Sequence, residues 1–183
     1  MEICLDAVIT TSYLALHYFR LSPKSGEADV DKVLIMTASC GGLYPSYYSP
    51  TYAAAKHGVV GFMRSIAKHY YLKDGIRVNA ICPGVVKTGL LSENEWGNFP
   101  EAYFTPVEKI VGVVEMLVEG RDGGEEGARI DGVGIGMRAK DGVLWGEAVE
   151  ISGERYYYRE APKMCDDAMR AVMEATDIEE LEH

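Results

Sequence analysis

Thr51-Tyr52-Ala53-Ala54-Ala55-Lys56-His57-Gly58 is the stretch on which the reading of this chain turns. Pro50 stands at its head, where a helix can begin, so Tyr52 and Lys56 fall four positions apart on one helical face, with Cβ atoms about 5–6 Å apart. A phenol ordinarily titrates near ~10. A neighbouring ammonium lowers that value toward the range in which the phenol exchanges a proton with an alcohol or carbonyl oxygen. Upstream, Val33-Leu-Ile-Met-Thr37 is apolar on both faces, as in a central strand of a parallel sheet, and leads into Ala38-Ser39-Cys-Gly-Gly42. Downstream, the turn Asp74-Gly75 opens a second apolar run, 76–81, which leads into Cys82-Pro83-Gly84. Strand, helix, strand and helix in alternation predict an α/β fold with a doubly wound parallel sheet and right-handed crossovers.

Outward from that centre, Leu5, Val8, Ile9, Ser12, Leu16 and Phe19 recur at helical spacing and predict an amphipathic helix over 2–20. Polar residues 22–31, with Pro23 and Gly26, form a loop. Beyond Pro50 the long helix carries a small stripe (Ala54, Gly58, Gly61) for close approach by another helix, and a larger one (Val59, Phe62, Met63, Ile66, Tyr70) for the core. Residues 84–104 have no period, and their aromatics Trp96, Phe99, Tyr103 and Phe104 are scattered as in a loop that covers a substrate. Thr105-Pro-Val-Glu108 reads as a capping box that starts a helix ending at Gly120. Residues 120–146 hold nine glycines and read as an insertion, 148–151 as the last strand, and 166–180 as an acidic helix. Two parts follow: a domain over 1–153 and a C-terminal acidic tail or helix over 154–183.

Eighteen basic against 28 acidic residues leave a net charge of −10 over 183 residues, which repels phosphate backbones and anionic lipid and excludes nucleic acid and membrane surfaces as partners. No apolar run approaches the roughly 20 residues of a membrane span and no basic leader stands at the start, so a cytoplasmic protein is expected. The four cysteines, Cys4, Cys40, Cys82 and Cys165, lack metal-ligand spacing and read as free thiols. Cys40 and Cys82 flank the Ser39 region without the surroundings that activate a nucleophile, and His57 reads as a helix-surface residue. Gly134-Ile-Gly-Met-Arg-Ala139 fits a dinucleotide-binding pattern formally, but Lys140-Asp-Gly142 breaks any helix after it, so it is read as a surface loop.

Ser39, Tyr52-x-x-x-Lys56, the phrase Arg77-Val-Asn-Ala-Ile-Cys-Pro-Gly84 and Thr88 together resemble the short-chain dehydrogenase/reductase family, and in particular its 15-hydroxyprostaglandin dehydrogenase-like branch. The likeness extends over roughly residues 1–120. It implies a Rossmann-like domain, an NAD or NADP cofactor with NAD favoured, a secondary alcohol or ketone as substrate, and a homodimer, a homotetramer or a pairing with a complete relative. By the same resemblance Tyr52 exchanges the proton, Lys56 tunes Tyr52 and binds the nicotinamide ribose, Ser39 holds the substrate oxygen, and Pro83, Gly84, Val86 and Thr88 pack against the nicotinamide. It also implies that the chain starts partway into the family's domain, without its first four strands and its glycine-rich pyrophosphate turn, and places Cys4 where the family has an Asn. The contrasting expectation is a cofactor-free relative that serves as an interaction or regulatory subunit, or an incomplete gene product.

Overall fold

The computed structural model describes residues 1–22, 31–89, 93–97, 99–122, 128–130 and 142–176. A π-helical turn, Glu2–Asp6, runs directly into α1 (Ala7–Leu21). The inner face of this rod buries Ser12 and Leu16, with Leu5, Val8 and Phe19 packed beside them, as the helical spacing predicts. β1 (Lys32–Thr37) follows. Its first residue closes the α1 end: the buried Lys32 ammonium donates to the carbonyls of Phe19 (2.7 Å), which also accepts the Ser22 N–H (3.3 Å), and of Ser22 (3.3 Å).

α2 (Pro50–Asp74) places Pro in its first turn and ends at Gly75, whose φ of 64° is the left-handed conformation that suits glycine. Val59, Met63, Ala67 and Tyr70 are buried against the sheet. Of the small stripe's two glycines only Gly58 meets another helix: a Cβ there would lie 2.9 Å from Leu5 Cδ1, whereas one at Gly61 meets nothing within 4 Å. β2 (Ile76–Pro83) comes next and is buried along nearly its whole length. Asn79, wholly buried on it, accepts a bond from the Glu147 N–H (3.0 Å) and donates to the Leu144 carbonyl (3.3 Å).

After β2 come the short α3 (Glu93–Trp96), a 3-10 turn Glu101–Tyr103, α4 (Val107–Glu119), β3 (Ala128–Ile130), β4 (Ala148–Ser152), β5 (Arg155–Arg159) and α5 (Asp167–Glu174). The sheet order is β1-β2-β4-β5-β3, with β1, β2 and β4 parallel, β5 antiparallel to β4, and β3 parallel to β5. One core lies between the sheet and α1/α2; a second, built on Ile81, Leu117, Val149, Ile151 and Tyr158, lies under α4.

Four expectations are corrected. β1 is not central: it ends the sheet, and its half-buried residues 33–35 reflect that edge. β4 is not the last strand, because the two-residue turn at Gly153 (φ 56°) returns the chain as β5, and part of the stretch read as an insertion supplies β3. Thr105 does not cap α4. Pro106 is the N-cap, without a side-chain bond, while the buried Thr105 hydroxyl accepts from Gly153 N–H (3.1 Å) and donates to the Ile151 carbonyl (3.4 Å). The aromatics of 84–104 are not scattered: Trp96 packs on Phe99 and Phe104, with centroids 6.0 and 5.8 Å away. The helix end expected at Gly120 is found there, at φ 76°. Of the helix expected over 166–180, α5 occupies Asp167–Glu174, with Asp166 as its N-cap accepting from Met169 N–H at 2.8 Å, while 177–180 lie outside the described residues. Gly134 to Ala139 lies outside the described residues.

Candidate active site

Parallel strands deliver their C-terminal ends to one edge of the sheet, and the chemistry-bearing residues gather there. The Ala38 N–H bonds the Ile81 carbonyl (2.8 Å) and carries the β1–β2 pairing one residue past β1. Ser39 then turns the chain. Its backbone is extended, and its hydroxyl accepts the Gly41 N–H at 3.1 Å as the cap of the 3-10 turn Cys40–Gly42.

That turn docks on the start of α2 through its two glycines. A Cβ on Gly41 would lie 3.2 Å from Tyr52 Cε1 and 3.6 Å from Ser39 Oγ, so the phenol ring and the hydroxyl flank the same bare backbone. A Cβ on Gly42 would lie 2.7 Å from the Lys56 carbonyl oxygen and 3.2 Å from Val60 Cγ2. Tyr52 is 38% exposed.

Lys56 is half-buried; its ammonium donates to the Thr37 carbonyl (2.8 Å) and lies 5.8 Å from the Tyr52 ring centroid. Burial lowers its pKa, opposed by the nearby thiols of Cys4 and Cys82. Cys4 thus sits in the π-helical turn within electrostatic reach of Lys56. The Cys82 thiol is pushed up to about 12, first by burial, with the Ser39 backbone N–H and the Arg64 guanidinium acting the other way. It is an inert packing group. His57, exposed on α2, has Nδ1 2.9 Å from the Ala53 carbonyl, as expected for a helix-surface residue.

Pro83, Gly84 and Val86 line the exit of β2, half-buried, and Thr88 is exposed beyond them with its carbonyl accepting the Trp96 indole N–H at 3.1 Å. Gly84 is bare for a reason inside the fold: a Cβ would lie 3.2 Å from the Ile151 carbonyl oxygen and 3.3 Å from the Thr105 hydroxyl. A cluster missed in the sequence lies beside the Ser39 turn. Arg159 on β5 donates to Glu150 on β4 (2.7 Å) and to the Tyr44 hydroxyl (2.6 Å), and that hydroxyl donates to Glu150 (3.2 Å). The available signal was Glu150 itself, a charge within the otherwise apolar Ala148-Val-Glu-Ile151, since a buried carboxylate requires a partner. No group of His, Cys, Asp and Glu that could hold a metal occurs among the described residues.

A family model described as short chain dehydrogenase matches residues 1–97. The chain is 51% identical over 177 residues to the short-chain dehydrogenase/reductase prx7 of Penicillium rubens, an alignment covering 96% of this chain and 60% of that protein. It is 42% identical over 96 residues to the NAD(+) 15-hydroxyprostaglandin dehydrogenase of Rattus norvegicus, covering 52% of this chain and 35% of that one. The chain therefore spans 60% and 35% of the length of these two relatives. Among solved structures, a 3-hydroxyacyl-CoA dehydrogenase type-2 from Mycobacterium avium superposes with a TM-score of 0.58 at 23% identity, over 84% of this chain and 54% of that one, a likeness of fold. A 4-hydroxyisoleucine dehydrogenase complexed with NADH and succinate superposes with a TM-score of 0.50 at 25% identity, over 64% of this chain and 48% of that one.

Proposed function

The chain belongs to the short-chain dehydrogenase/reductase family, and on that premise we propose that it is an NAD(P)-dependent oxidoreductase that interconverts a secondary alcohol and a ketone at Ser39, Tyr52 and Lys56. The observation that carries the reading is the docking of the Ser39 turn on α2, which sets the hydroxyl and the phenol on either side of Gly41 with an ammonium 5.8 Å from the same ring.

In alcohol oxidation Tyr52 takes the hydroxyl proton and in ketone reduction it gives that proton back. Ser39 holds the same oxygen by a hydrogen bond, so the reacting carbon stays fixed while the proton moves. Lys56 sets a positive charge 5.8 Å from the Tyr52 ring centroid, and its anchor on Thr37 fixes where that charge stands. An ammonium has three N–H donors, and beyond the one given to Thr37 it can meet the hydroxyls of a ribose. The half-buried Pro83, Gly84 and Val86, with Thr88 beside them, supply an apolar wall and a hydroxyl for a nicotinamide ring and its amide. The cofactor, when bound, supplies or accepts the hydride. NAD is favoured over NADP by the likeness to the NAD(+) 15-hydroxyprostaglandin dehydrogenase and to a dehydrogenase complexed with NADH. We further propose a cytoplasmic location and self-association through α1, which exposes Tyr13, Leu14 and Tyr18.

The test is turnover of simple secondary alcohols with NAD+ or NADP+, compared between wild type and Tyr52→Phe. A fall in kcat of about 10²–10⁴ is expected from loss of a proton-transfer group. Unchanged turnover in the variant refutes the assignment. No change in NADH or NADPH fluorescence or in thermal stability at millimolar cofactor refutes the enzyme reading, and leaves the interaction subunit in its place.

A further inference from the structure

Tyr44 stands one helical turn beyond the start of the Ser39 turn, its N–H on the Cys40 carbonyl at 2.9 Å. The residue is 44% exposed, yet its hydroxyl is held from two sides by the Arg159–Glu150 pair, whose side chains are only 12% and 9% exposed. The Arg159 guanidinium also lies 5.2 Å from the Tyr44 ring centroid. Arg159 is fixed in turn from its backbone, since Arg64 of α2 donates to its carbonyl (2.8 Å) and to that of Glu160 (3.2 Å). Glu150 stands opposite Cys82 in the β2–β4 register, just before Pro83 and Gly84.

Taking an ion pair out of water carries a desolvation penalty, so a buried pair spent on holding one phenol hydroxyl needs a reason. An exposed aromatic ring locked at its polar tip has lost its rotamer freedom before any ligand arrives, and a preordered surface binds with a smaller entropy penalty. Burial and the Glu150 carboxylate both raise the Tyr44 pKa, so the phenol stays neutral and keeps its role as a donor.

We propose that Tyr44 is a specificity-determining wall of the reaction site, on which the aryl group of an aryl-substituted secondary alcohol or ketone stacks, and that Arg159 and Glu150 are the positioning residues that lock it. The substrate class rests on the oxidoreductase reading above; the aryl-binding wall does not. Acetophenone and 1-phenylethanol are compared with acetone and 2-propanol on wild type, Tyr44→Phe, Tyr44→Leu and Tyr44→Ala. Loss of the ring should raise the ratio of aryl to aliphatic KM about tenfold, the scale of one aromatic contact. Tyr44→Phe keeps the ring and should fall between wild type and Tyr44→Ala. If aryl and aliphatic substrates weaken together in the leucine and alanine variants, Tyr44 merely props the Ser39 turn and the proposal is overturned. Saturation-transfer NMR of acetophenone reads binding without turnover. Transfer that depends on the Tyr44 ring in a chain that turns over no alcohol upholds the wall and removes the dehydrogenase reading. Transfer unchanged by Tyr44→Ala overturns the wall whatever the turnover.

Discussion

Replacing Gly42 by Ala puts the docking of the Ser39 turn to a quantitative test. The backbone at Gly42 is not left-handed, so an alanine is conformationally acceptable there and any penalty is steric. The added methyl would stand 2.7 Å from the Lys56 carbonyl oxygen and 3.0 Å from its carbon, both parts of the α2 backbone and unable to swing aside. Either the turn lifts off the helix or the helix shifts, and overpacking of this kind costs about 1–3 kcal/mol. For a chain of this length that lowers Tm by roughly 2–12 °C. Gly61→Ala is the matched control: the methyl meets nothing within 4 Å, and the exchange inside an exposed stretch of α2 should stabilise by about 0.5–1 kcal/mol. Urea unfolding followed by circular dichroism gives both numbers. Lifting the turn also separates Ser39 from Tyr52, so turnover by Gly42→Ala should fall by up to about 10²-fold, the scale of an ångström's misplacement. A Gly42→Ala protein as stable as wild type would refute the argument, since the turn would then not rest on α2 as described.

Thr105→Val should destabilise by about 1 kcal/mol because its hydroxyl serves Gly153 and Ile151, while Glu108→Ala should lie within 0.5 kcal/mol of wild type; a capping box would make both costly, and denaturant midpoints distinguish the two. Arg77→Met removes the buried guanidinium that donates to the carbonyls of Leu117 and Val118 (both 2.6 Å), and should cost about 1–3 kcal/mol for each buried acceptor orphaned, read by thermal unfolding. Cys82 keeps its proton in the fold between the ordinary thiol value of 9.0 and about 12, where the unfolded chain has lost it, so its contribution to stability is full below pH 9 and is lost as pH rises through that window. Mass spectrometry after iodoacetamide at pH 8 should find the exposed Cys165 alkylated and Cys82 unmodified until the chain unfolds.

The parts of the fold legible in the sequence are those in which local pattern and tertiary burial coincide. β1, α2 and β2 carry apolar runs or stripes bounded by Pro50 and Asp74-Gly75, and each boundary falls within two residues of its expected place. β5 escaped because Arg155-Tyr-Tyr-Tyr-Arg159 lies against an acidic C-terminal stretch, and its strand character comes from pairing with β4. Thr105 was misread because a Thr three residues ahead of a Glu is a local signal, whereas the partners that claimed its hydroxyl are nearly fifty residues away. A greater distance hid the grip on Tyr44, whose partners on β4 and β5 stand 106 and 115 residues away. Ser39, Tyr52 and Lys56 lie where β1 ends and α2 begins, and those ends are marked in the sequence, so their placement in the fold was readable.

The two-residue turn at Gly153 has a kinetic consequence. A hairpin with so short a loop closes in microseconds, whereas β1 can pair with β2 only after the whole of α2 has been looped between them, a non-local closure that slows folding. On the ribosome the order is reversed: β1, α2 and β2 emerge first, and the free edge of β2 waits for β4 while about seventy residues are synthesised. The nascent chain is most prone to aggregate in that interval, and the arrival of the rapidly closing β4–β5 pair brings it to an end.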